Sequence, residues 1–255
     1  MKAGVPTRIA GAWGLPRVRA RVFIIWGQSN GRGRAPLAEL PAQMAGGMSG
    51  AYFWNPGTTS FRTLEAKTMS GNPDAGLDWG CEMPLALKAR AAYNSPIYII
   101  KYAPGGVPLV TTTAPTWNPN VTGSLYSTAR TQLSDALAAI PAGGYNIEGA
   151  LWMQGEADAA NLETRANYAA RLTELFAGLR AGAGVPSLRI VDMLIRGTSV
   201  AQNAINDAKG DVRAAGHNIK LVDARPLSAL TDEVHLNGAG QVAFADQAFA
   251  FLGPR

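Results

Sequence analysis

Short β-branched apolar runs alternate along this chain with stretches whose apolar residues return every three or four positions. The runs are Val22–Trp26, Ile97–Lys101, Ala150–Met153, Leu188–Ile195 and Ile219–Val222. Near-continuous runs of this kind suit strands covered on both faces of a parallel sheet. Between them, Tyr126, Ala129, Leu133, Leu137 and Ile140 fall on one helical stripe. Tyr168, Leu172, Leu175, Phe176 and Leu179 form a second stripe, and Val242, Ala245, Phe249 and Leu252 a third. Glu82–Ala92 is a weaker helix, with Pro84 tolerated in its first turn. This alternation predicts a three-layer, doubly wound α/β fold on a mainly parallel five-stranded sheet. Ligand sites in such sheets form beyond the carboxyl ends of the strands. Two long stretches, Arg32–Trp79 and Ala103–Thr122, fit neither pattern and are rich in Gly, Pro, Thr and Asn. Each follows a strand, so both are expected to wall the site.

Composition narrows the class further. The 255 residues are 47% hydrophobic and 16% charged, with one cysteine, Cys81. That excludes a disordered chain and a disulfide scaffold, and no apolar run is long enough to span a membrane. The net charge of +5 invites a nucleic-acid reading, but its distribution weakens it. Lys2, Arg8, Arg17, Arg19, Arg21, Arg32 and Arg34 precede the first acid, which leaves the rest of the chain at −2. Residues 1–20 therefore read as a basic lead-in and residues 21–255 as a single domain. Prolines and arginines interrupt any apolar run in the lead-in, so no secretory signal is read there, and a cytoplasmic or phage-associated location is expected.

Four strand ends carry candidate chemistry. After the first run stands Gly27-Gln28-Ser29-Asn30, where a serine either caps a helix or presents its hydroxyl near helix N–H groups that favour a developing anion. Asp232-Glu233-Val234-His235 lies before the last helix. Its Asp reaches the imidazole if the chain turns, or else Thr231 or Asp232 caps that helix. Trp152-Met153-Gln154-Gly155-Glu156 offers an amide N–H donor for an oxyanion and a glycine that admits substrate to the backbone. Ala103-Pro104-Gly105-Gly106 adds bare glycine N–H groups. An α/β sheet brings all four to one edge, where they supply the parts of an acyl-transfer site. His217 reads as a helix-end residue and Cys81 as an inert buried thiol. Asp74, Asp78 and Glu82 match no cation-loop spacing and read as solvated carboxylates. Trp54, Trp79 and Trp117 lie in the long loops, where they either stack on sugar rings or pack locally.

The order of these blocks resembles the SGNH hydrolases, and within them the sialate O-acetylesterase-like branch that includes acetylxylan esterases of carbohydrate esterase family six. The resemblance rests on Gly27–Asn30, Lys101–Gly106, Trp152–Glu156 and Asp232–His235, and covers roughly residues 21–252. Gly31, Val107 and Met153 stand where that branch often has Met, Thr and His. The resemblance implies a flavodoxin-like SGNH fold and a carbohydrate O-acetylesterase. It makes Ser29 the nucleophile, His235 the base and Asp232 its partner, with Ser29, Gly105 or Gly106, and Gln154 as oxyanion donors. Gln28, Asn30, Gly155 and Glu156 support these groups, with Glu156 either bracing the first loop by hydrogen bonding or acting as a second orienter. It implies no metal or organic cofactor, and an O-acetylated carbohydrate as partner in place of nucleic acid or membrane. A non-catalytic or weakly catalytic glycan-binding module on the same fold, such as a phage tail or surface domain, is the alternative, motivated by the loop tryptophans and the basic N-terminal segment.

Overall fold

The computed structural model describes residues 18–66, 78–161 and 165–254. Most of the basic lead-in (residues 1–17) and Asp74 lie outside the described residues.

The first run becomes β1 (Ala20–Gly27), whose residues are nearly all buried. Successive strand side chains point to opposite faces, and β1 uses both. Phe23 and Ile25 enter one apolar cluster, while Val22, Ile24 and Trp26 enter the other. The same division holds for β6 (Ile97–Tyr102), β7 (Tyr145–Met153) and β8 (Ile190–Leu194), and β9 (Ile219–Asp223) closes the row. One face of the sheet is covered by α2 (Glu82–Tyr93) and α7 (Gly238–Leu252). The other is covered by α3 (Leu125–Ala139), α5 (Tyr168–Ala183) and α6 (Val200–Ala215). All three predicted stripes lie on helices that pack on the sheet.

With β3 (Met48–Asn55) and β4 (Ser60–Leu64) at one edge, the strand order is β4-β3-β6-β1-β7-β8-β9, with every neighbouring pair parallel except β3 and β4. The sheet thus has seven strands and not the expected five. The extra pair, β3 (Met48–Asn55) and β4 (Ser60–Leu64), is a hairpin added at one edge from within the Arg32–Trp79 stretch, which fits neither periodicity. A small separate ladder pairs β2 (Ala35–Pro36) with β5 (Asp78–Trp79). The five runs read from the sequence form the order 2-1-3-4-5, the flavodoxin-like arrangement, whose switch point lies beside the first strand. Among the described residues no helix is long and apolar enough to cross a membrane.

Candidate active site

Gly27 ends β1 with φ near +149°, and a Cβ there would run into the Met153 carbonyl of the adjoining β7. Only glycine lets the two strand ends converge so closely. The chain then enters the one-turn helix α1 (Ser29–Arg32), in which Gln28 occupies the cap position. Ser29 is therefore the first helical residue and not the cap. It is almost fully buried by its surroundings but opens onto a cleft of about 560 Å³.

His235 comes to this serine from the far end of the chain. Its Nε2 lies 2.8 Å from Ser29 Oγ, and its Nδ1 lies 2.7 Å from Asp232 Oδ2. A carboxylate only accepts, so Nδ1 carries the proton and Nε2 is left to accept from the Ser29 hydroxyl. Asp232 Oδ1 accepts the backbone N–H groups of Val234 and His235, both at 2.9 Å. One oxygen thus closes the turn and the other orients the ring. Slight burial pushes the Asp232 carboxyl up, but hydrogen bonds from the His235 ring and the two amides outweigh it and bring it down to about 2. The helix α7 begins later, capped by Asn237, so neither Thr231 nor Asp232 is a cap.

The turn is held from two directions. Asn30 Nδ2 donates to Val234 O at 3.1 Å, and its Oδ1 accepts from the Leu236 N–H at 2.9 Å. Glu233 sits in the left-handed region at φ 57°, and its carbonyl accepts from Arg196 Nε at 2.8 Å. Arg196 Nη1 also donates to the carbonyls of Ala224, Arg225 and Leu227. Nothing in the sequence pattern marked Arg196, which follows β8.

Glu156 begins α4 (Glu156–Ala159) just after β7. Its Oε2 accepts from Gln28 Nε2 at 2.7 Å and its Oε1 from Asn30 Nδ2 at 2.9 Å. These two bonds tie Glu156 to the Ser29 loop. Gly155 precedes it at φ +143°, and a Cβ there would press on the methyl groups of Ile195 and Ile205. Gly105 stands beside the serine, its Cβ position 3.7 Å from Ser29 Cβ, and both Gly105 and Gly106 line the cleft. Arg32, Arg34, Ala157 and Val234 complete the lining. Arg32 was legible only through its place three residues after Ser29 in a helix.

Other expectations need correction. Gln154 is fully buried, and its Nε2 donates to Val107 O at 3.1 Å and Asp158 Oδ2 at 2.6 Å. Its Oε1 accepts from Tyr168 at 2.9 Å. Both amide hydrogens are engaged by Val107 O and Asp158, and Gln154 is absent from the cleft lining, so in this structure it ties two segments together and is not poised as an oxyanion donor. Asp158 also accepts the Leu109 and Val110 N–H groups, which fastens the loop after β6. Burial pushes the Asp158 carboxyl up, against these hydrogen bonds.

Trp54 falls in β3, Trp79 in β5 and only Trp117 in a loop, and all three are buried, so none can stack on a sugar ring. Trp79 donates to Pro36 O, Trp54 packs edge-on against Phe61, and Trp117 packs against Trp26 and Trp152. That removes one of the two motives for the binding-module alternative; the other, the basic N-terminal segment, lies mostly outside the described residues. Glu82 is likewise no solvated carboxylate: it is buried and paired with Lys101 Nζ at 2.8 Å. Cys81 is buried, and burial pushes its thiol up, away from the reactive thiolate. Among the described residues no cluster of His, Cys, Asp and Glu is arranged to hold a metal ion.

Comparison with known proteins agrees with this architecture. The crystal structure of a protein from Arabidopsis thaliana superposes with TM-score 0.74 at 22% identity, covering 93% of this chain and 98% of that one. A probable carbohydrate esterase of the same plant is 28% identical over 99 residues, spanning 39% of this chain but only 37% of the relative. The structure of NanS superposes with TM-score 0.67 at 14% identity, over 93% of this chain and 98% of that one. A carbohydrate acetylesterase from Xanthomonas citri gives TM-score 0.62 at 16% identity, over 91% of this chain and 56% of that one. The family model described as carbohydrate esterase, sialic acid-specific acetylesterase matches residues 19–251, so the chain belongs to that family.

Proposed function

We propose that the protein removes O-acetyl groups from sugar hydroxyls through a Ser29 acyl-enzyme. The carrying observation is the continuous hydrogen-bonded row from Ser29 Oγ through His235 to Asp232. Ser29 attacks the acetyl carbonyl while His235 Nε2 takes its proton, and Asp232 stabilises the imidazolium that forms. The N–H groups of Ser29 and of Gly105 or Gly106 are the candidate donors for the tetrahedral oxyanion, supported by the closeness of Gly105 to the serine. His235 then protonates the departing sugar oxygen. Water, activated by the same imidazole, attacks the acetyl-enzyme and releases acetate. Val234, exposed in the cleft between Asp232 and His235, offers an apolar surface to the acetyl methyl group. Hydrolysis of 4-nitrophenyl acetate, alongside acetate release from acetylated sugars, tests this reading. Wild-type protein is expected to turn over both, and Ser29→Ala to lose nearly all of both rates. Equal rates in the two proteins would refute the nucleophile assignment.

A further inference from the structure

The turn that carries His235 has little of the fold to lean on. Thr231, Asp232, Glu233 and Val234 are all exposed. Val234 lines the Ser29 cleft on one side and, with Asp232 and Glu233, a second cleft of about 480 Å³ on the other. The turn therefore stands as a partition between two open spaces, and polar ties must hold it. Its own closure is costly, because Glu233 occupies the left-handed region at φ 57°, where a Cβ crowds the backbone. Such a conformation persists only where the surroundings over-determine it. The same turn folds the Val234 and His235 N–H groups back onto Asp232 Oδ1, which leaves Oδ2 for the imidazole.

On the serine side the tie is Asn30. On the other side it is Arg196, half-buried just after β8. The root of Arg196 is fixed, because the buried Asn206 of α6 accepts the Ile195 N–H at 2.8 Å and donates to the Ile195 carbonyl at 3.0 Å. From there Nε donates to Glu233 O at 2.8 Å, and Nη1 donates to the carbonyls of Ala224, Arg225 and Leu227 in the loop after β9. One planar guanidinium thus fastens the strained residue between Asp232 and His235 to the ends of two strands. Each of these acceptors is a backbone carbonyl, so the charge-assisted bonds act on chain position. Arg196 lines the second cleft and not the Ser29 cleft, so it acts from behind the turn.

We propose that Arg196 is a positioning residue for the esterase reaction: through the Glu233 carbonyl it holds the Asp232–His235 turn in the geometry that places His235 Nε2 against Ser29 Oγ. The proposal rests on the Ser29 acyl-enzyme reading for its kinetics but not for its structural test. Because Arg196 acts through the turn and not on the substrate, its loss falls on kcat and leaves KM nearly unchanged.

Steady-state kinetics on 4-nitrophenyl acetate, with thermal unfolding of the same samples, compare wild type with Arg196→Ala and Arg196→Lys. Arg196→Ala is expected to lose about 10²-fold in kcat, the scale of a ~1 Å misplacement, with KM within about twofold. Arg196→Lys keeps the charge without the fork, so it should fold and retain only part of kcat. Millimolar guanidinium should restore part of the rate to Arg196→Ala and none to Asn30→Ala, whose lost acceptor it cannot supply. Wild-type kcat in folded Arg196→Ala, a loss confined to KM, or a loss of kcat that guanidinium leaves untouched overturns the proposal. If Arg196→Ala does not fold, Arg196→Lys decides alone: wild-type kcat overturns the proposal, and a partial loss at constant KM upholds it. Crystal structures of wild type and the folded variant give the structural test. The separation of Ser29 Oγ and His235 Nε2 should grow from 2.8 Å beyond the ~3.2 Å reach of a hydrogen bond, and a retained bond overturns the proposal. A wild type that hydrolyses no ester refutes the Ser29 reading alone, and the same two structures still decide the role of Arg196.

Discussion

Asn30 Oδ1 accepts the backbone N–H of Leu236 at 2.9 Å, so the residue after Ser29 grips the residue after His235. With the Asn30 donation to Val234 O, the chain on both sides of the imidazole is fixed from the nucleophile's own helix. The Ser29–His235 distance is therefore set by backbone contacts as well as by side-chain packing. Asn30→Ala should lower kcat by about 10²-fold with a smaller change in KM, the scale expected when a reacting group is misplaced by ~1 Å. It should also cost about 1–3 kcal/mol of stability, because the buried Leu236 N–H loses its partner. Steady-state kinetics and denaturant unfolding on the same preparation check both. An unchanged kcat would show that the imidazole is held by other contacts.

Asp232 carries a prediction in pH. Its carboxyl is held at about 2 in the folded protein, below the ~3.9 of an unfolded chain. A depressed pKa stabilises the fold above the unfolded value, and that contribution disappears as pH falls towards the folded one. Wild-type protein should therefore lose stability relative to Asp232→Asn between about pH 4 and pH 2. The difference should be small, since the carboxylate is about half exposed and screened. Unfolding curves of the two proteins across that range would run parallel if the contribution were absent. At neutral pH, Asp232→Asn should cost on the order of 10⁴ in kcat, because the amide no longer enforces the Nδ1–H tautomer.

Lys101 and Glu82 form a pair with side chains 0% and 1% exposed, and Lys101 also donates to Arg32 O. Removing one member leaves the other charged and buried. Lys101→Met should therefore cost about 3–5 kcal/mol, and Lys101→Met with Glu82→Leu should recover much of that loss. Chemical denaturation of the two variants measures the recovery. Additive losses would mean that the two residues stabilise the fold independently.

These residues show what a sequence carries and what it withholds. The β1 run was legible because both of its faces are buried, which leaves an apolar signature needing no partner. The β3 and β4 hairpin was not, because Ser60–Leu64 is a mostly exposed edge strand and Met48–Asn55 is interrupted by Ser49 and Gly50. The Ser29, Asp232 and His235 positions were legible because each follows a strand and the sheet must bring strand ends together. The direction of a side chain is settled by competition among acceptors, and there the reading failed. Gln154 turned towards Val107 O and Asp158, and Glu82 found Lys101 nineteen residues away. Trp117 is in a loop, yet that loop folds back onto Trp26 and Trp152.

Gln154 provides a check on that correction. As a tie between buried groups, it should matter to folding first. Gln154→Ala should cost about 1–3 kcal/mol by leaving Asp158 and the Tyr168 hydroxyl short of a partner. Its kcat should fall less than the ~10²–10³ associated with loss of an oxyanion donor. Full stability with a loss of that size would restore the amide to the oxyanion site.

The most direct measurement of the central claim is covalent labelling with a serine-reactive fluorophosphonate, followed by peptide mass mapping. One adduct, on the peptide containing Ser29, is predicted, with labelling strongly slowed in His235→Ala and abolished in Ser29→Ala. An adduct on another residue, or an active wild-type esterase that takes up no label, would contradict the account.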